Sequence, residues 1–137
     1  MFLDYDSIAE GDAIPSLKKK PITQVQLVRY AGAAGDFNPI HLVPSYAMEA
    51  GLEGTIAHGM LVMGMLAQMI SNWVGVKPVT KYGVSFRAMT KPGNVLTATG
   101  EVTKKYTVEN KKFLDLNVRI ADEKGEVKVD GRATLRF

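Results

Sequence analysis

The sequence contains no cysteine and only two histidines, His41 and His58. The first absence excludes a disulfide framework, cysteine-built zinc sites and thiol chemistry. The second, with no His-Glu-x-x-His spacing, argues against a dedicated metal site. Long apolar runs are also missing. The one extended run, Met60 to Ala67, gives way to Gln68, Ser71 and Asn72, well short of the roughly 20 residues that a bilayer span needs. No membrane association is expected. The opening Met1-Phe2-Leu3-Asp4-Tyr5-Asp6 is acidic and lacks the basic n-region of a signal peptide, so a cytoplasmic location is the default. Charge of one sign is scarce too: 17 Lys+Arg against 14 Asp+Glu leave a net +3. Lys18-Lys19-Lys20, Lys104-Lys105 and Lys111-Lys112 carry no interleaved aromatics, so they read as solvated strand ends and turns and not as a nucleic-acid surface. The alternative is a landing surface for something anionic, such as a phosphorylated cofactor tail or an acidic carrier protein.

What is present suits one domain spanning residues 1–137, with 46% apolar and 23% charged residues. Thr23 followed by Gln26 forms a capping box, and Ile22 and Leu27 stand at the two positions of a hydrophobic staple. The first helix runs from there and frays at Gly32 or Gly35. A second, short helix begins after Pro44-Ser45 and stops at Gly51. A third covers about Gly59 to Val74. Its apolar residues, Met60, Leu61, Val62, Met63, Met65, Leu66, Met69 and Ile70, do not keep to one face, which predicts a helix surrounded on most sides.

The second half supplies the wrapping. Leu114, Leu116, Val118 and Ile120 alternate with Asp115, Asn117 and Arg119, and Val127, Val129, Ala133 and Leu135 alternate with Lys128, Arg132, Thr134 and Arg136. Period-two alternation describes antiparallel strands with one wet face. Val84-Phe86-Ala88 and Leu96-Ala98-Val102 add two strands turning at Pro92-Gly93-Asn94, and Glu123-Lys124-Gly125 makes the last hairpin turn. The expected architecture is α+β: a long buried helix wrapped by a curved antiparallel sheet, the hot-dog arrangement.

Two clusters hold groups capable of chemistry. In Gly35-Asp36-Phe37-Asn38-Pro39-Ile40-His41, Pro39 fixes its own φ and pushes Asn38 out of helical geometry. The chain therefore bends just after Asp36, and carboxylate and imidazole can face one small space. Sharing one water molecule, they make a general-base pair. The bland reading is a loop with an Asx turn and a histidine on its rim. The second cluster, Ala57-His58-Gly59-Met60, starts the third helix. Its first amides lack intrahelical acceptors and carry partial positive charge, so the Gly59 N–H suits a carbonyl oxygen that becomes an enolate. Gly59 otherwise merely relieves crowding. His58 reads as a hydrogen-bonded helix-start residue, and Met60, Met63, Met65 and Met69 as flexible core fillers, some of which line an acyl pocket.

Together with Ile56-Ala57-His58-Gly59-Met60-Leu61, the first cluster resembles the signature of the MaoC-like (R)-specific enoyl-CoA hydratases and of the related (3R)-hydroxyacyl-thioester dehydratases. The resemblance implies reversible addition of water to a trans-2-enoyl thioester with no metal or redox cofactor, coenzyme A or acyl carrier protein serving as substrate carrier. By motif position it implies that Asp36 and His41 hold and activate the water and that Gly59 is the oxyanion donor. Asn38, Ile40 and Met60 then fall beside the substrate. Gly64 and Ala67 stand where certain relatives carry a hydroxyl residue, which suggests a deeper acyl pocket. The resemblance also suggests pairing of two such units, as a homodimer or as a heterodimer. Two other readings share the fold: an acyl-CoA thioesterase, and the stabilising subunit of a heterodimeric dehydratase.

Overall fold

The computed structural model describes residues 3–137, so Met1 and Phe2 of the acidic opening lie outside the described residues. A single 3-10 turn at Tyr5–Ser7 leads to strand β1 (Leu17–Lys18), helix α1 (Gln24–Ala34), a 3-10 turn at Pro39–His41 and helices α2 (Pro44–Glu49) and α3 (Gly59–Val74). Strands β2 (Val79–Phe86), β3 (Thr97–Val108), β4 (Lys111–Ala121) and β5 (Val127–Arg136) follow. They form a five-stranded sheet in the order β1-β3-β4-β5-β2, antiparallel throughout. This is the hot-dog fold, with the sheet curling around one side of α3.

Local chemistry explains the helix limits. The Thr23 hydroxyl accepts the Gln26 amide at 3.1 Å, and both staple residues, Ile22 and Leu27, are buried. Gly35 ends α1 in the left-handed region at φ 70°, a conformation glycine adopts without steric cost. Pro44 occupies the first turn of α2, where its missing amide proton is not needed.

The core forms where α3 meets the sheet. Val62, Met65, Leu66, Met69 and Ile70 of α3 pack against Leu114, Leu116, Val118 and Ile120 of β4 and Val129, Ala133 and Leu135 of β5, all buried. The helix is not enclosed as its composition predicts. Met60, Gly64 and Gln68 are exposed and follow one stripe along its outer side. An apolar residue on a helix does not have to face the core, and here Met60 remains 58% exposed.

Three further expectations change. The turn at Pro92–Asn94 forms, with Gly93 at φ 95°, but it joins strands that do not pair. β2 lies beside β5, and β3 beside β1 and β4. Lys128, placed by alternation on the wet face, is only 4% exposed. Its ammonium donates to Glu126 Oε1 at 2.5 Å and Met89 O at 2.9 Å, and lies 3.3 Å from Asp122 Oδ2. Burial alone would lower its pKa, but the two carboxylates outweigh that and raise it. The paired lysines are not all free either. Lys105 Nζ donates to the carbonyls of Tyr5 and Ile8, and Lys112 Nζ to Asp6, which tie the N-terminal turn to β3 and β4.

Candidate active site

The polar groups of the site come from one stretch of chain. After Gly35 turns it, the Asp36 carboxylate accepts the Asn38 amide at 3.2 Å and the Asn38 side chain accepts the Ile40 amide at 3.2 Å. Two successive Asx turns, closed by the rigid Pro39, thus set where Asp36 and His41 stand. Asp36 is exposed and His41 is buried. The His41 carbonyl accepts from Gln24 Nε2 at 2.9 Å, and Gln24 Oε1 accepts from the buried Thr55 hydroxyl at 2.6 Å. Helix α1 and the segment before α3 therefore fix the turn from both sides.

The ring nitrogens of His41 have different tasks. Nδ1 lies 2.7 Å from the Ile56 carbonyl oxygen. A carbonyl only accepts, so Nδ1 carries the hydrogen and Nε2 presents a bare lone pair. That Nε2 is 3.9 Å from Asp36 Oδ2. The separation is too long for a direct hydrogen bond but suits one bridging water. A water donating both hydrogens at about 2.8 Å spreads its two acceptors about 4–4.5 Å apart.

Gly59 opens α3, and among the described residues nothing accepts its amide hydrogen. It lines a cavity of about 310 Å³ together with His41, Ile56, Ala57, Phe86 and Met89. A Cβ placed on Gly59 would stand 2.9 Å from Phe86 Cε1, so glycine is what lets that ring lie against the helix start. Lys128, through its bond to Met89 O, braces another lining residue.

The structure thus sets Asp36 beside His41, and His41 in the cavity that Gly59 lines. Other sequence-predicted positions lie elsewhere. The Asn38 side chain is spent on the turn, and Ile40 contributes its carbonyl to the Ile56 amide at 3.2 Å. Met60, Gly64 and Ala67 follow the outer stripe of α3 and do not line the cavity. Sequence reading passed over Phe86 and Met89 as cavity residues. The alternation of Tyr82, Val84 and Phe86 places Phe86 on the helix-facing side, but its meeting with Gly59 depends on long-range packing.

His58 is hydrogen-bonded at the helix start, as the sequence predicts, but it also belongs to the cluster. Its Nε2 donates to the Asp36 carbonyl at 3.0 Å, and its ring stacks on His41 with centroids 3.7 Å apart. Ligand atoms of Asp36, His41 and His58 lie within 4.8 Å of one another. They make a poor metal set, because His58 approaches Asp36 with the nitrogen that carries its proton, and stacked rings aim their lone pairs side by side, not at one point.

Known proteins resemble this chain over most of its length. The chain is 30% identical over 114 residues to the (R)-specific enoyl-CoA hydratase of Aeromonas caviae, covering 82% of this chain and 84% of that one. It is 29% identical to the (R)-specific enoyl-CoA hydratase of Rhodospirillum rubrum, over 96% of this chain and 89% of the relative. The unliganded R-hydratase PhaJ1 from Pseudomonas aeruginosa superposes with a TM-score of 0.84 at 26% identity, covering 96% of this chain and 83% of that one. The model of the MaoC like domain matches residues 8–124, and the chain belongs to that family.

Proposed function

We propose that this chain is a hydro-lyase that reversibly hydrates trans-2-enoyl thioesters to (3R)-3-hydroxyacyl thioesters in fatty-acid metabolism. One observation carries the proposal: the Asp36 carboxylate lies 3.9 Å from the bare Nε2 of His41, and His41 lines the same cavity as Gly59. The R configuration follows the names of the relatives.

The water donates one hydrogen to His41 Nε2 and the other to Asp36. Its oxygen attacks the β-carbon, Asp36 takes the proton, and the same carboxylic acid delivers it to the α-carbon. The atoms of one water are added and no electrons leave the substrate, so the reaction calls for no redox cofactor. Between the two steps negative charge rests on the thioester oxygen. A fixed amide at a helix start meets that charge without reorganising, and such a donor is worth about 3–4 kcal/mol of barrier. Coenzyme A or an acyl carrier protein enters as the carrier.

Pairing with a second hot-dog unit is part of the same proposal. β2 is eight residues long and, among the described residues, pairs only with β5, and a long open edge favours a partner strand. The partner is a second copy or a related subunit, and sedimentation of the purified chain separates the two.

Loss of crotonyl-CoA absorbance, followed by chiral analysis of the product, tests the activity, with matched enoyl-acyl-carrier-protein substrates as the second arm. Asp36→Asn keeps the folded circular dichroism spectrum and loses about 10²–10⁴-fold in turnover. Undiminished turnover in that variant removes the mechanism, and release of free thiol in place of hydration makes the chain a thioesterase.

A further inference from the structure

His58 has no part in the chemistry above, yet its surroundings are unusual. It is 3% exposed, its Nε2 donates to the Asp36 carbonyl at 3.0 Å, and its Nδ1 is buried with no partner among the described residues. One face stacks on His41 at 3.7 Å and 21°, and Tyr30 meets the ring edge-on at 4.8 Å. Its backbone adjoins Gly59. A single side chain therefore touches both members of the water-holding pair and is covalently joined to the oxyanion donor.

We propose that His58 is a positioning residue for this site, holding Asp36 by its backbone and His41 by its ring so that carboxylate and Nε2 keep their water-bridging separation. The inference rests on the hydration reading for its kinetic test but not for its spectroscopic one. The geometry gives the two stacked rings opposite tautomers. His41 carries hydrogen on Nδ1, facing the Ile56 carbonyl, and His58 carries it on Nε2, facing the Asp36 carbonyl. Retaining an imidazole here leaves a buried nitrogen unsatisfied, which a purely space-filling residue would avoid. Phenylalanine would fill the space and preserve the stack, so what histidine adds is the hydrogen bond to the catalytic turn.

Three variants separate positioning from support of the fold. His58→Phe keeps a ring on His41 but deletes the donor. His58→Gln places a donor nitrogen where Nε2 stood, and His58→Asn places one only where Nδ1 stood. Positioning predicts that His58→Phe lowers kcat about 10- to 100-fold with KM within about threefold and the melting temperature nearly unaltered, since small displacements of reacting groups are costly. His58→Gln retains at least about tenfold more turnover than His58→Asn. Turnover in His58→Phe within twofold of wild type overturns the proposal. So does equal loss in the Gln and Asn variants, which decides the matter if the Phe variant fails to fold.

Because the chain has only two histidines, nitrogen-15 spectra of labelled protein resolve each ring. Wild type shows one Nδ1–H and one Nε2–H imidazole, and the His41 signal of His58→Phe, or of His58→Asn should the Phe variant not fold, shifts toward a tautomer mixture. If wild type hydrates no enoyl thioester, the function fails but these spectra still decide: identical tautomers in wild type, or an unmoved His41 signal in the variant, refute the positioning role.

Discussion

Gly59 is where one methyl group separates what the fold tolerates from what the chemistry needs. A Cβ there would lie 2.9–3.0 Å from the Phe86 ring, and Phe86 is 55% exposed, so the ring can yield. It yields within the cavity that both residues line. Gly59→Ala therefore lowers hydration about tenfold by obstructing the carbonyl's approach to the amide, while thermal melting shows no loss of stability, alanine being the better helix former. Adding Phe86→Leu recovers part of the activity. At this scale the sequence told much about Asp36 and His41, because their juxtaposition is made by six consecutive residues, a proline among them. It told little about Phe86 or about the stack of His58 on His41, because those contacts require segments distant in the chain to meet.

Among the elements, those with local causes were legible and those with partners far away were not. Thr23 caps α1, Gly35 ends it and Pro44 opens α2, each by chemistry within four residues. Thr23→Ala removes the hydroxyl that accepts the Gln26 amide, and denaturant titration is expected to show a loss of about 1 kcal/mol. Because α1 also carries Gln24, which holds the His41 carbonyl, turnover in this variant declines with denaturant sooner than overall unfolding does. The alternation of β4 and β5 announced itself. That β2 joins β5 and not β3 did not, since pairing is decided by how the sheet closes around α3. Lys128 broke the alternation because Asp122 and Glu126, in the turn beside it, supply its counter-charges. The β3–β4 turn, with Glu109 and Asn110 at φ 49° and 62°, left no glycine signal.

For the molecule as a whole, charge sets the pH range of stability. Burial opposes ionisation of Asp122, but the Glu126 and Lys124 amides and the Lys128 ammonium together hold its carboxyl below the usual value. Glu123 is lowered by the Val95 amide, and Lys112 lowers exposed Asp6, a pair that adds little to stability. Depressed carboxyls stabilise above about pH 4 and lose that contribution as pH falls through their lowered values. Lys128, raised, contributes below about pH 10 and loses it as pH rises through its folded value. Burial pushes the Tyr82 hydroxyl, which donates to Met63 O, up to about 12, adding to the alkaline loss. Melting temperatures are thus expected to be flat from about pH 5 to 9 and to fall on both sides. Lys128→Met lowers the plateau, because it strands the Asp122 carboxylate, whose side chain is only 7% exposed.

The groups assigned to bond making occupy a short stretch between Asp36 and Gly59, whereas the framework and its open edge belong to strands that come later. Few substitutions in the turn would silence the chemistry, and the strands would not register them. After gene duplication, a mute copy and a working one can therefore keep the same scaffold, so division of labour between subunits is an easy evolutionary step for a chain built this way.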